Sequence, residues 1–211
     1  LKILKNLWIS VGQGNNTVAY SSNGRSWTGL GTTILTSSGY GVTFGNGTWV
    51  VIGTNSGGGS YAYSTNGTTW QPQYMGSSST RICVANSDGL TDDTRYFIAD
   101  SSSSVFYTTD GYNYSSFSQY YGSNNGVVSL GANSIFYQPN GSSGTNVFYY
   151  YGPYTSPSQN SYTDSFATSS STMYGGVAVH PTSGTIAAAA ASSSGNMSII
   201  VSTNSGTSWT K

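Results

Sequence analysis

The sequence predicts an all-β fold, a five-bladed β-propeller of about 42–47 residues per blade, each blade an antiparallel meander of four strands. Three observations carry this. An eight-residue motif returns along the chain, its copies lie one four-stranded unit apart, and between them apolar and aromatic residues alternate with Ser, Thr and Asn.

The reference copy is Tyr63-Ser64-Thr65-Asn66-Gly67-Thr68-Thr69-Trp70. Its echoes are Tyr20-Ser21-Ser22-Asn23-Gly24-Arg25-Ser26-Trp27 and Tyr107-Thr108-Thr109-Asp110-Gly111-Tyr112-Asn113-Tyr114. A last copy, with one residue inserted, is Val201-Ser202-Thr203-Asn204-Ser205-Gly206-Thr207-Ser208-Trp209. Each reads as a hairpin: a strand ends in Ser or Thr, Asn-Gly or Asp-Gly supplies the positive φ of a tight turn, and an aromatic opens the returning strand. The copies begin at 20, 63 and 107, which are 43 and 44 apart, and then at 201, 94 further on or about two periods.

Five units follow when the stretches before each hairpin are aligned, over 1–30, 39–74, 79–118, 126–154 and 174–211, in one domain. The first has expected strands at 1–4, 7–12, 17–21 and 26–29, and the second at 40–44, 48–53, 60–64 and 68–71. The third has strands at 81–85, 95–99, 104–108 and 113–117. In the fourth, strands are expected at 127–130, 134–137 and 146–150, but Tyr151-Gly152-Pro153-Tyr154 replaces the motif, so the turn chemistry is lost, the last strand is left unassigned, and the unit reads as degenerate. The fifth has strands at 176–179, 185–190, 197–201 and 207–210. Ala187 to Ala191 is helical by propensity, yet Thr185-Ile186-Ala187-Ala188 falls where Thr48-Trp49-Val50-Val51 stands in the second unit, which predicts a strand. The innermost strands are the small-residue runs near Val42, Cys83, Val128 and Ala178, because a narrow ring leaves little room at its axis. Closure of the ring, with the terminal segments meeting, removes most exposed sheet edges.

Composition bounds the partners. Charged residues make up 6% of the chain, six basic against six acidic, and this neutrality argues against nucleic acid or an anionic membrane as partner. Aromatics at 14% supply the apolar surface that an ordered β protein needs, despite 28 Gly and much Ser, Thr and Asn. The lone Cys83 rules out an internal disulfide and reads as a small core residue. No run approaches the roughly 18 apolar residues of a membrane span. With no initiator Met and no signal-peptide pattern, the chain is expected to be a processed product or part of a longer one.

The motif carries a resemblance. Ser202-Thr203-Asn204-Ser205-Gly206-Thr207-Ser208-Trp209 resembles the Asp-box of sialidase-like β-propellers, with Asn204 in place of the Asp and Ser208 in place of the Thr. The repeats also resemble tandem units of surface and fibre proteins of large viruses and phages, through Trp-Val-Val-Ile-Gly followed by Ala-Tyr-Ser-Thr-Asn-Gly-Thr-Thr-Trp. The resemblance covers nearly the whole chain. It implies that the motif lies between the third and fourth strands of a blade, with Asn23, Gly24, Asn66, Gly67, Asp110, Gly111, Asn204 and Gly206 shaping turns and Trp27, Trp70 and Trp209 packing between sheets.

The same resemblance raises glycosidase chemistry, which the residues argue against. Sialidases use an Arg triad, a Tyr nucleophile activated by Glu, and an Asp acid; this chain has only Arg25, Arg81 and Arg95 and no Glu. A pair of facing carboxylates is no better supplied: Asp88, Asp92 and Asp93 share one loop, while Asp100, Asp110 and Asp164 are scattered along the chain. His180, the single histidine, sits in a His-Pro turn, and one His with one Cys cannot build the usual zinc site. The stretch 86–93 has oxygen ligands for Ca²⁺ but not the spacing of an EF-hand loop, and it reads as a solvated turn. Asn-X-Ser/Thr sequons at Asn15, Asn46, Asn66, Asn113, Asn140 and Asn196 decide nothing in a chain of this composition. The expectation is a protein without catalytic residues, metal or cofactor.

A binding or adhesion module on a virion or cell surface is the leading functional expectation, with a glycan or a protein receptor as partner. The alternative is a capsid, fibre or decoration protein that contacts neighbouring virion or surface proteins. Loops between second and third strands, and between blades, emerge opposite the motif turns, at 13–16, 55–59, 119–125, 140–145 and 152–173. Tyr rings stack on pyranose faces and amides pair with hydroxyls, so Tyr120, Tyr121, Asn124, Asn125, Tyr154, Gln159, Asn160 and Tyr162 are the expected contact surface.

Overall fold

The computed structural model describes residues 7–45, 47–74, 81–86, 96–100, 104–108, 113–118, 123–129, 134–140, 146–151, 158–163, 177–180, 183, 185–191, 197–204 and 208–210. These residues form strands and connections only, with no helix among them.

The first sheet holds β1 (Trp8–Val11), β2 (Val18–Ser21) and β3 (Thr28–Gly29), and the second β4 (Ser38–Gly45), β5 (Thr48–Asn55), β6 (Gly58–Ser64) and β7 (Gln71–Tyr74). The third has β8 (Arg81–Asn86), β9 (Tyr96–Asp100), β10 (Ser104–Thr108) and β11 (Ser115–Ser118). In the fourth are β12 (Ser123–Ser129), β13 (Ser134–Asn140), β14 (Asn146–Tyr151) and β15 (Ser158–Thr163). The fifth has β16 (Val177–Val179), β17 (Ile186–Ala191) and β18 (Met197–Ser202), with a further bridge from Val201 to Thr210. Every sheet is an antiparallel meander in chain order.

Val42, Cys83, Val128 and Ala178 lie on β4, β8, β12 and β16, the first strands of their sheets, and these four strands neighbour one another in succession. First strand beside first strand is the radial stacking of a propeller repeat. The alanine-rich segment Ile186–Ala191 is a strand: its ladder pairs Ile186 with Ser202 and Ala188 with Ile200, so sheet pairing overrides helix propensity.

Two expectations need correction. The fourth sheet is not degenerate. It keeps a full last strand, β15, in register from Asn146↔Thr163 to Tyr151↔Ser158, so the sheet runs from Ser123 to Thr163 rather than 126–154. Backbone pairing along six positions of β14 needs no Asn-Gly turn to set it. The motif connection, too, is not a two-residue hairpin. Between Ser64 and Gln71 six residues intervene, 65–70, because side chains rather than a paired ladder close the turn. The strand expected at 1–4 lies outside the described residues.

The core sits between sheets. Strand alternation gives each sheet a front, facing the preceding sheet, and a back, facing the next. In the second sheet Val51 pairs with Ala62 on the front, and Val50 with Tyr63 and Ile52 with Tyr61 on the back. The front packs with Trp70 against Val18, Ile9 and Val11 of the first sheet, around the interblade residues Ile34 and Leu35. The back packs against Phe106 and Tyr114 of the third. Both faces are buried, so β5 reads as a continuous apolar run, Trp49-Val50-Val51-Ile52, instead of alternating.

Candidate functional site

The motif turns are built by short-range hydrogen bonds. Ser64 Oγ accepts the N–H groups of Asn66 (3.2 Å) and Gly67 (2.8 Å), and Asn66 Oδ1 accepts those of Thr68 (2.9 Å) and Thr69 (2.8 Å). The first sheet repeats this: Ser21 Oγ takes Asn23 (3.2 Å) and Gly24 (2.9 Å), and Asn23 Oδ1 takes Arg25 (2.8 Å) and Ser26 (2.9 Å). Gly24 and Gly67 stand at φ 71° and 72°, where only glycine is unstrained. In the fifth sheet, Asn204 Oδ1 accepts the Ser208 N–H at 2.9 Å and its Nδ2 donates to Ser208 Oγ at 2.8 Å, which absorbs the inserted residue. Asp110, Gly111 and Gly206 lie outside the described residues.

These groups satisfy one another within each turn. The motif aromatics act between sheets: Trp70 is 8% exposed with its Nε1–H donated to Gly67 O at 3.1 Å, Tyr114 tilts against Tyr61 with centroids 4.5 Å apart, and Trp209 is buried. Trp27 departs from this pattern. It stands 45% exposed, because the front of the first sheet has no described sheet over it. Trp8, on the same front, is 57% exposed; the expected meeting of the terminal segments involves residues 1–6, 205–207 and 211, which lie outside the described residues.

The opposite end of the sheets carries the connections from second to third strands and between sheets. Several polar residues there are occupied. Asn16 Oδ1 accepts Gly31 N–H (2.9 Å), Asn55 Oδ1 accepts Thr36 N–H (2.6 Å), and Thr36 Oγ1 accepts Ser56 N–H (3.1 Å). Buried Thr17 donates to Leu35 O at 2.6 Å. These bonds lash the interblade segment 30–37 to the loops on either side, so the loops at 13–16 and 55–59 use their amides to hold themselves. His180 is similarly engaged, its Nδ1 accepting Ser183 N–H at 3.2 Å.

The expected contact residues separate. Asn124 and Asn125 are on the first strand of the fourth sheet, whereas Gln159, Asn160 and Tyr162 lie on its last strand, β15, not on a loop. Three inter-strand spacings, about 14 Å, divide the two groups. Tyr154 lies outside the described residues. Tyr120 and Tyr121 also lie outside the described residues.

What the structure brings forward instead is a recurrent bulge. The ladder of each of three first strands shifts register at one place: between Gly39 and Gly41, between Arg81 and Cys83, and between Asn124 and Gly126. The extra residues are Tyr40, Ile82 and Asn125, at equivalent positions 42 and 43 apart. Bulges re-aim side chains and collect next to binding sites. Here they fall on mutually neighbouring strands, at the end away from the motif turns. Tyr40 is 49% exposed there, and Tyr74, at the same end of β7, is 56% exposed with its hydroxyl donated to Gly57 O at 2.6 Å. Asn125 is among the contact residues expected from the sequence, and Tyr40 is not. Its signal was a small residue followed by Val after each bulge, as Tyr40-Gly41-Val42, Ile82-Cys83-Val84 and Asn125-Gly126-Val127. Among the described residues no three His, Cys, Asp or Glu side chains cluster to hold a metal.

No family model matches the chain, and no curated protein does. Solved structures do. A computationally designed protein, Ika8, is similar with a TM-score of 0.62 at 11% identity, over 94% of this chain and 56% of that one. The fungal Aleuria aurantia lectin, a six-bladed β-propeller with a novel mode of fucose recognition, gives 0.54 at 12% identity, over 92% of this chain and 68% of the lectin. Streptogramin B lyase gives 0.57 at 8%, over 94% and 70%. At such identities the likeness concerns fold alone, and it defines the class: an all-β repeat protein of the β-propeller type. The chain spans little more than half the length of the designed protein and about two thirds of the lectin.

Proposed function

We propose that the five sheets are five blades of a propeller and that the chain is a non-enzymatic binding module recognising a neutral glycan, free or on a protein receptor. The observation that carries this is the bulge repeated at the same end of three neighbouring first strands, with Tyr40 half exposed at one copy and the Asn124-Asn125 pair at another. An aromatic ring offers a stacking surface to a pyranose, amides offer donors and acceptors to its hydroxyls, and a chain with 6% charged residues calls for no ionic ligand. The propeller likeness to a fucose-binding lectin is consistent with it. Display outside the cell or on a virion belongs to the same proposal and rests on the resemblance of the repeats.

A glycan array followed by calorimetric titration of the best neutral ligand tests the reading. Tyr40→Ala and Asn125→Ala should each weaken binding by roughly tenfold, about 1.4 kcal/mol, while the melting temperature stays put. Failure of the array to retain any glycan, or unchanged affinity in the double variant, overturns it.

A further inference from the structure

Among the described residues two apolar sheet faces are exposed, and they are the two halves of one repeated interface. Between the first and second sheets, the front positions Val51, Ala62 and Trp70 receive the back positions Ile9, Val11 and Val18. Trp8 pairs with the motif serine Ser21 as Trp49 pairs with Ser64, and Trp27 holds the motif position of Trp70, so Trp49 and Trp70 become Trp8 and Trp27 on the front of the first sheet. Trp49 packs against the core cluster and Trp70 is 8% exposed, whereas Trp8 and Trp27 are 57% and 45% exposed.

The other end mirrors this. On the back of the second sheet Tyr61 is 3% exposed against the third sheet. Aligning the motifs places Ile199 at the position of Tyr61 and Val201 at that of Tyr63. Ile199 is 62% exposed, while its neighbour Ile200, on the front of the fifth sheet, is 1% exposed. Val201 pairs with Ala187, so Ala187, Ile199 and Val201 form a small apolar surface on the back. None of the described residues named on either surface is charged. The five sheets also match only part of larger propellers, 68% of a six-bladed one, over nearly all of this chain.

We infer that the front of the first sheet is a docking surface for the back of the fifth sheet of a second copy of this chain, head to tail. The chemistry fits because each face repeats the pattern by which the chain already packs sheet on sheet, and each copy carries one of each. Such a contact is heterologous: it closes into a ring where the rotation between copies permits and otherwise extends. This inference is independent of glycan recognition, since Trp8 and Ile199 lie on sheet faces and not at the bulged ends.

Sedimentation velocity of the 211-residue protein over a wide concentration range tests it, with circular dichroism as the control for folding. Association should rise with concentration, persist in high salt, and be weakened at least tenfold by Trp8→Ser and, separately, by Ile199→Ser. The decisive arm mixes the two variants. Each keeps one competent face, so the mixture should form a heterodimer and stop there. A protein that stays monomeric at every concentration overturns the proposal, and acrylamide quenching of Trp8 then tells a chain closed on itself, with Trp8 protected, from one with a bare face. Association lost in Trp8→Ser but kept in Ile199→Ser overturns it as well, in favour of a front-to-front dimer or of another partner for the fifth sheet.

Discussion

Replacing Gly67 by Ala, beside the same change at Gly24, separates the two costs a motif turn has to meet. Both glycines have φ near +70°, so each Ala adds the left-handed strain of an L-residue, about 1–2 kcal/mol. They differ in surroundings. A Cβ on Gly24 would sit 3.6 Å from Trp8 Cε2, an ordinary contact, whereas one on Gly67 would collide with Leu7 Cδ2 and lie 3.0 Å from Ile9 Cδ1. Ile9 belongs to the first sheet and Leu7 immediately precedes it, so the second motif turn is wedged against its neighbour and overpacking adds about 1–3 kcal/mol. The sum is roughly 2–5 kcal/mol for Gly67→Ala against 1–2 for Gly24→Ala, which at about 2–4 °C per kcal/mol in a chain of this size is a clear gap between two melting curves. Equilibrium urea unfolding read by Trp fluorescence, with m held constant, measures both. Equal losses at the two sites would refute the intersheet contact at Gly67, and no loss at either would refute the turn geometry itself.

Ser64→Ala removes the acceptor for two turn N–H groups and should cost about 1–3 kcal/mol in the same urea assay. Asn66→Asp keeps the Oδ1 that takes Thr68 and Thr69, so it should leave the midpoint nearly unchanged, whereas Asn66→Ala should lower stability by about 1–2 kcal/mol. Leu35→Ala, in a connection between sheets but fully buried in the first core cluster, should lose about 2–5 kcal/mol, a core-sized penalty from a loop position. Asn55→Ala unties Thr36 and should raise amide exchange across 30–37 while the exchange of β5 itself is little changed.

The sequence by itself determined the strands and the turns. Antiparallel sheets follow from β-branched and aromatic runs between Gly and Asn, and the Ser-X-Asn-Gly turns close through bonds that reach only two or three residues along the chain, so nothing distant is needed to form them. Repeat spacing likewise fixed Ile186–Ala191 as a strand against its own propensity. Tertiary structure decided what no local pattern holds. Trp27 and Trp70 occupy the same motif position, yet one is exposed and the other buried, because burial depends on whether a sheet stands in front. β15 forms without a motif because pairing with β14 recruits it, and that pairing places Gln159, Asn160 and Tyr162 on a strand three spacings from Asn124 and Asn125. Asn16 and Asn55 look free in the sequence and are consumed by backbone groups 15 and 19 residues away. The bulges that single out Tyr40 and Asn125 are a mismatch between paired strands, and a mismatch exists only once both strands are in register.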